Sequence, residues 1–183
     1  MEGGIRAWNG LRAAGPPEAG MAYFETAQKP EEMIALAWIL EEGASKFYRE
    51  MGKRQKGPDE AALFKELSED EEKHKTSLFS IYQKRAGKGA DSAFPRSLLS
   101  LESGVDYLEG GVLLNKALEW TQGQELRDIL DFSVSLEANA IDLYIKMERK
   151  AEGGEAKEVF RALSNQERNH LKRLTAALQT LIS

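Results

Sequence analysis

No cysteine occurs among the 183 residues, which excludes disulfides, thiolate metal sites, iron–sulfur clusters and a cysteine nucleophile. Histidine is nearly as scarce: His74 and His170 are the only two, so any imidazole chemistry rests on that pair. A basic excess is also missing, and the formal net charge of −5 gives no reason to expect nucleic acid or an acidic membrane as partner. No run approaches the ~20 apolar residues that span a bilayer, and the N-terminus lacks a charged stretch followed by an apolar one. The chain therefore reads as a soluble, cytoplasmic protein. With 42% apolar residues it can still bury a full core, and one domain is the default at this length.

What is present is a repeat centred on the two histidines. Glu167-Arg168-Asn169-His170 follows Glu71-Glu72-Lys73-His74 at a distance of 96 positions, and upstream of each copy the same residues recur at the same spacing. Glu41 and Tyr48 precede the first copy, Glu137 and Tyr144 the second, so the template Glu-x6-Tyr-x22-Glu-x2-His occurs twice. Glutamate fills 23 of the 183 positions and tyrosine only 5, which makes a chance match at both histidines very improbable.

Read in order, residues 1–29 form an irregular arm, interrupted by Gly3-Gly4, Gly10, Gly15-Pro16-Pro17 and Gly20. Pro30 followed by Glu31-Glu32 opens a helix that runs to about Lys53, with Ala37, Leu40, Ala44, Phe47 and Met51 as its apolar stripe. Glu41 lies on that stripe, whereas Glu42 lies with Trp38, Lys46 and Arg49 on a more polar side. Gly57-Pro58-Asp59 breaks the pattern. A second helix follows to about Arg85, its apolar face of Phe64, Leu67, Leu78 and Ile81 interrupted by Glu71 and His74, with Asp70, Glu72 and Lys73 on the exposed side. Gly87, Gly89 and Pro95 mark a loop, and a weaker helical segment is expected from Asp106 to Trp120. A third helix, from about Glu125 to Ala151, places Leu130, Val134, Ile141 and Tyr144 around Glu137. Gly153-Gly154 ends it, and a fourth, from Glu155 to Leu181, sets Phe160, Leu163, Leu174 and Leu178 around Glu167 and His170. Trp38, Trp120 and the methionines read as packing.

The spacing turns these helices into a site. In an antiparallel pair, residues equidistant from the turn sit at one height. The midpoint of Glu41 and Glu71 is position 56, beside Gly57-Pro58; that of Glu137 and Glu167 is 152, beside Gly153-Gly154. Each pair thus lies about 15 residues, or ~22 Å, from its turn, with His74 and His170 on the same faces. A linker of about forty residues can traverse the bundle and relate two such hairpins by an approximate two-fold axis. A lone glutamate is ordinarily a solvated face residue, and either histidine alone could be a satisfied core residue. Four glutamates at apolar-stripe positions would tend to protonate if nothing compensated them. Two divalent cations remove that cost, and oxygen-rich ligation with one imidazole each suits iron or manganese better than zinc.

At residues 31–182 the chain resembles the rubrerythrin branch of the ferritin-like di-iron carboxylate proteins. The resemblance implies an all-α, ferritin-like four-helix bundle of two helical hairpins with a long crossover connection, over residues 30–183. It implies two iron ions, with manganese or a substituting zinc as alternatives. Glu41 and Glu137 would be terminal or switching ligands, Glu71 and Glu167 bridging ligands, and His74 and His170 one ligand to each metal. Tyr48 and Tyr144 look like the tyrosines that hydrogen-bond ligand carboxylates in this family. Two departures stand out. Ala140 occupies the position, one turn beyond Glu137, where rubrerythrins proper carry a further glutamate, which puts metal movement dependent on that group in doubt. No cysteine-rich rubredoxin module is present either, so a reductant would come from another protein. Separately, Met1-Glu2-Gly3-Gly4-Ile5-Arg6-Ala7-Trp8-Asn9-Gly10 resembles the closing segment of rhodanese domains, over residues 1–22.

The implied activity is a di-iron oxidoreductase that reduces peroxide or dioxygen with electrons from an external donor protein, built as a homo-oligomer, with a dimer expected. Iron oxidation for storage or detoxification uses the same ligands. A bundle merely stapled by metal and serving as a binding module is the reading from another class.

Overall fold

The structure is a computed structural model that describes residue 27 and residues 29–87, 94–99 and 104–182. Nearly all of the N-terminal arm, including its rhodanese-like stretch, lies outside the described residues. Two long helices, α1 (Pro30–Arg54) and α2 (Pro58–Ala86), form the first hairpin. A crossover follows, containing a 3-10 turn (Arg96–Leu98), the strands β1 (Tyr107–Leu108) and β2 (Val112–Leu113), and a short helix α3 (Leu114–Trp120). Helices α4 (Leu126–Lys150) and α5 (Gly154–Ile182) make the second hairpin. Every boundary of the second hairpin lies 96 positions beyond its counterpart in the first, so the repeat of residues is also a repeat of elements.

Local chemistry explains the helix ends. Pro30 and Pro58 occupy first-turn positions where no amide donor is needed, acidic residues follow, and Lys53-Arg54 and Lys84-Arg85 face the carbonyl ends. The Lys29 amide donates to the Glu32 carboxylate at 3.1 Å. Opposite ends of the bundle carry separate apolar cores. In one, Met33, Ile34 and Leu40 of α1 meet Leu78 and Ile81 of α2, Leu143 and Met147 of α4, and Phe160 and Leu163 of α5. In the other, Phe47 and Met51 meet Phe64, Leu67, Leu130, Phe132 and Leu174. The N-terminal half of α1 thus packs with the C-terminal half of α4, and α2 and α5 are antiparallel as well. The crossover therefore runs the length of the bundle, as its size permits.

The expected helix over 106–120 is only half present. Gly110 and Gly111 both have positive φ, a conformation open to glycine at little cost, and the chain turns there into an antiparallel hairpin pairing Tyr107 with Leu113 and Leu108 with Val112. Helix begins only at Leu114. This hairpin lies on α1 at Gly43, where an added Cβ would stand 2.0 Å from the Tyr107 carbonyl oxygen. Lys46 and Arg96 fasten it by pairing with Asp106 at 2.8 and 3.1 Å. On α4 the buried stripe passes through Ser133, Glu137, Ala140 and Tyr144. Val134 and Ile141, expected on the buried side, sit on its flank and are only half-buried, as is Leu178 on α5.

Candidate metal centre

Between the two apolar cores lies a polar layer. Glu41 from α1, Glu71 and His74 from α2, Glu137 from α4, and Glu167 and His170 from α5 are each at most 3% exposed. The four glutamates and two histidines of the repeat are thus brought together, one turn of each helix contributing. The imidazoles lie nearly parallel with centroids 5.5 Å apart.

Around each imidazole the carboxylates form a separate set. His74 Nδ1 lies 3.2 Å from Glu41 Oε2, 2.8 Å from Glu71 Oε2 and 3.0 Å from Glu167 Oε1. His170 Nδ1 lies 3.3 Å from Glu71 Oε1, 3.6 Å from Glu137 Oε2 and 2.9 Å from Glu167 Oε2. Within each set the ligand-capable atoms all fall within 4.8 Å of one another. Glu71 and Glu167 give one oxygen to each set, while Glu41 and Glu137 serve one set apiece. That division arises from the two-fold repeat: α2 and α5 face each other across the layer.

Hydrogen bonding alone does not satisfy these atoms. An Nδ1 carries at most one proton, yet each faces three carboxylate oxygens. Glu71 Oε2, both oxygens of Glu167 and Nδ1 of His170 are buried without a hydrogen-bond partner despite their closeness, an arrangement that is costly in the interior. Protons relieve part of the charge. Burial, opposed by His74, holds the Glu41 carboxyl well above the usual range, and burial reinforced by Glu167 does the same to Glu137. Burial also disfavours ionised Glu71 and Glu167, but the two imidazoles outweigh it and hold both below the usual range. Burial would lower the histidines; Glu41 acting on His74, and Glu137 and Glu167 on His170, reverse this and raise both far above the ordinary imidazole value. Lone pairs converging from oxygen-rich sets with one imidazole each are the donor chemistry of a divalent cation site, and the cluster is compatible with a bound metal ion.

The tyrosines cross between hairpins. The Tyr48 hydroxyl donates to Glu137 Oε1, and the Tyr144 hydroxyl to Glu41 Oε1. Seven residues along one helix is ~10 Å, too far for a tyrosine to reach the glutamate of its own template, so each serves the opposite copy. Both are fully buried.

Two further residues approach the layer without having been singled out. Asp70, expected merely on the exposed side of α2, lies with Oδ2 3.4 Å from His170 Nε2 and 3.3 Å from the Arg173 guanidinium. Its place in the repeat belongs to Gln166, so the pattern that reveals the other residues passes over it. Glu109, at the tip of the β1–β2 hairpin, is 4% exposed; it lies in the crossover and has no repeat partner. A cavity of about 260 Å³ opens beside the imidazoles, lined by Asp70, Lys73, Gln166, Asn169 and Arg173.

Fold and site together define a ferritin-like four-helix bundle carrying a buried carboxylate–histidine centre. The profile of the Rubrerythrin family matches residues 32–102 and 128–182, and the chain belongs to that family. The match leaves out the segment that holds the β1–β2 hairpin. A solved structure of a hypothetical protein from Pyrococcus furiosus has the same fold, with a TM-score of 0.67 and 24% sequence identity over 92% of this chain and 97% of that one. No curated protein matches significantly. No helix among the described residues is long and apolar enough to cross a membrane.

Proposed function

We propose that the protein is a di-iron oxidoreductase that reduces hydrogen peroxide or dioxygen with electrons from a donor protein. The observation that carries this reading is the division of six side chains into two four-ligand sets sharing Glu71 and Glu167, since a shared pair of carboxylates holds two cations close together. Glu41, Glu71, His74 and Glu167 would hold one, and Glu71, Glu137, Glu167 and His170 the other. A bound iron pair supplies one electron per ion, enough with two protons to turn one peroxide into two waters.

The chain's own groups supply the rest. Tyr48 and Tyr144 fix the outer oxygens of Glu137 and Glu41, which aims the remaining oxygen of each at its set. Asp70 orients His170 from behind, so its Nδ1 stays turned inward. The flanking apolar cores keep bulk water from the layer, and the cavity beside His74 and His170 offers a small oxidant its way in. Without a cysteine, these residues hold no thiolate iron centre to deliver electrons, and the donor lies outside them.

Anaerobic reduction of the iron-loaded protein followed by stopped-flow mixing with peroxide tests the proposal. Re-oxidation far faster than that of free ferrous ion is expected. Re-oxidation no faster than the free ion would overturn it, and turnover of excess ferrous ion into a stored mineral would favour the iron-storage alternative.

A further inference from the structure

Glu109 stands where a carboxylate is hard to accommodate. It is 4% exposed, and its Oε2 is buried with no hydrogen-bond partner. The charges acting on it are of the wrong sign: burial above all, and then Glu41, Glu71 and Glu137, disfavour its ionised form. A residue tolerated by accident in such a place could swing out or draw its loop away. Here the loop is fixed. Gly43 admits the Tyr107 carbonyl against α1, in space that a Cβ would fill. Asp106, three residues before Glu109, is tied to Lys46 and Arg96. On the other side Gly110 sits against α4, where a Cβ would come within 2.7 Å of the Asn139 side-chain nitrogen. Ala140, the next residue on α4, is itself small and buried. The hairpin is therefore wedged between α1, beside Glu41, and α4, beside Glu137, with one carboxylate oxygen of Glu109 buried and unpartnered.

We propose that Glu109 is a fifth carboxylate of the metal centre, delivered by the crossover. The inference rests on the di-metal reading above. A cation in that carboxylate layer reverses the sign of the local field, and it would give Glu109 Oε2 the partner it lacks among the described residues. Because the hairpin lies outside the segments matched by the family profile, this carboxylate is a feature of the crossover and not of the repeated helices.

The test is titration of the metal-free protein with cobalt(II), followed by absorption and by infrared difference spectroscopy, in the unaltered chain and in Glu109→Gln. Two cobalt sites are expected in both, one of them weakened by about ten-fold or more in the variant with a changed ligand-field spectrum. The unaltered protein should lose one carboxylic-acid contribution more on loading than the variant, in which those of Glu41 and Glu137 remain. Glu109→Ala, which removes the group instead of leaving an amide, carries the same expectation should the glutamine variant fold poorly. Two sites of unchanged affinity and spectrum in the variants, with the same carboxylic-acid loss on loading as in the unaltered protein, would overturn the role of Glu109 alone. Failure of the unaltered protein to bind cobalt would overturn the di-metal reading itself.

Discussion

At the scale of single residues, the arrangement depends on who holds each outer carboxylate. Tyr48 is donor to Glu137 and Tyr144 to Glu41, so each hairpin stiffens the ligand of the other. Removing a hydroxyl leaves a buried carboxylate oxygen without a donor while the ring still packs. Tyr48→Phe and Tyr144→Phe should each weaken metal binding by about 10- to 100-fold with an unchanged helical signal, measured by competition with a chelator of known affinity. Equal affinity in both variants would mean that the tyrosines are ordinary core. The residue scale also shows what a repeat can reveal. Six polar residues at apolar-stripe positions were legible because each has a counterpart 96 positions away. Asp70 was not, since Gln166 takes its place in the second copy, and helical periodicity alone puts it on the solvent side.

At the scale of elements, the four helices were legible to within a residue or two, because Pro30 and Pro58 with acidic first turns open the first two and Gly153-Gly154 divides the last two. The crossover was not. Helical periodicity suggested one weak helix across Gly110-Gly111, but the two positive-φ glycines impose a turn, and what stabilises the hairpin is contact with α1 that no local pattern records. Gly43 is the clearest case: nothing in its neighbourhood along the chain distinguishes it from a tolerated helix glycine, yet the Tyr107 carbonyl occupies the space its side chain would need. Gly43→Ala improves local helix propensity but should still destabilise the metal-free protein by about 1–3 kcal/mol through overpacking, read from urea unfolding. A neutral or stabilising effect would mean that the hairpin does not seat there. Glu109 went unnoticed for the same reason, since its burial is a consequence of where the hairpin docks.

At the scale of the whole molecule, the fold accepts a layer of charge between two apolar cores, and its stability should depend on pH in opposite senses with and without metal. In the metal-free state His74 and His170 are raised above their unfolded value, so the folded chain keeps protons that the unfolded chain releases above about pH 6.5. Their contribution is therefore full below that pH and declines as pH rises. Glu41 and Glu137, also raised, act in the same direction from about pH 4.3 upward. Metal binding must displace these protons and so strengthens with pH. The gap in melting temperature between loaded and metal-free protein should widen from about pH 6 to about pH 8, as scanning calorimetry in matched buffers would show. A gap independent of pH would mean that the buried imidazoles are not exchanged from protons to metal.

If shared glutamates hold two cations together, equilibrium dialysis against ferrous or cobalt(II) ion with metal analysis of the protein will show it. Two equivalents should bind per chain, with Glu71→Gln weakening both sites at once, because Glu71 gives an oxygen to each set. Fewer than two equivalents in the unaltered protein, or a variant in which only one site suffers, would contradict it.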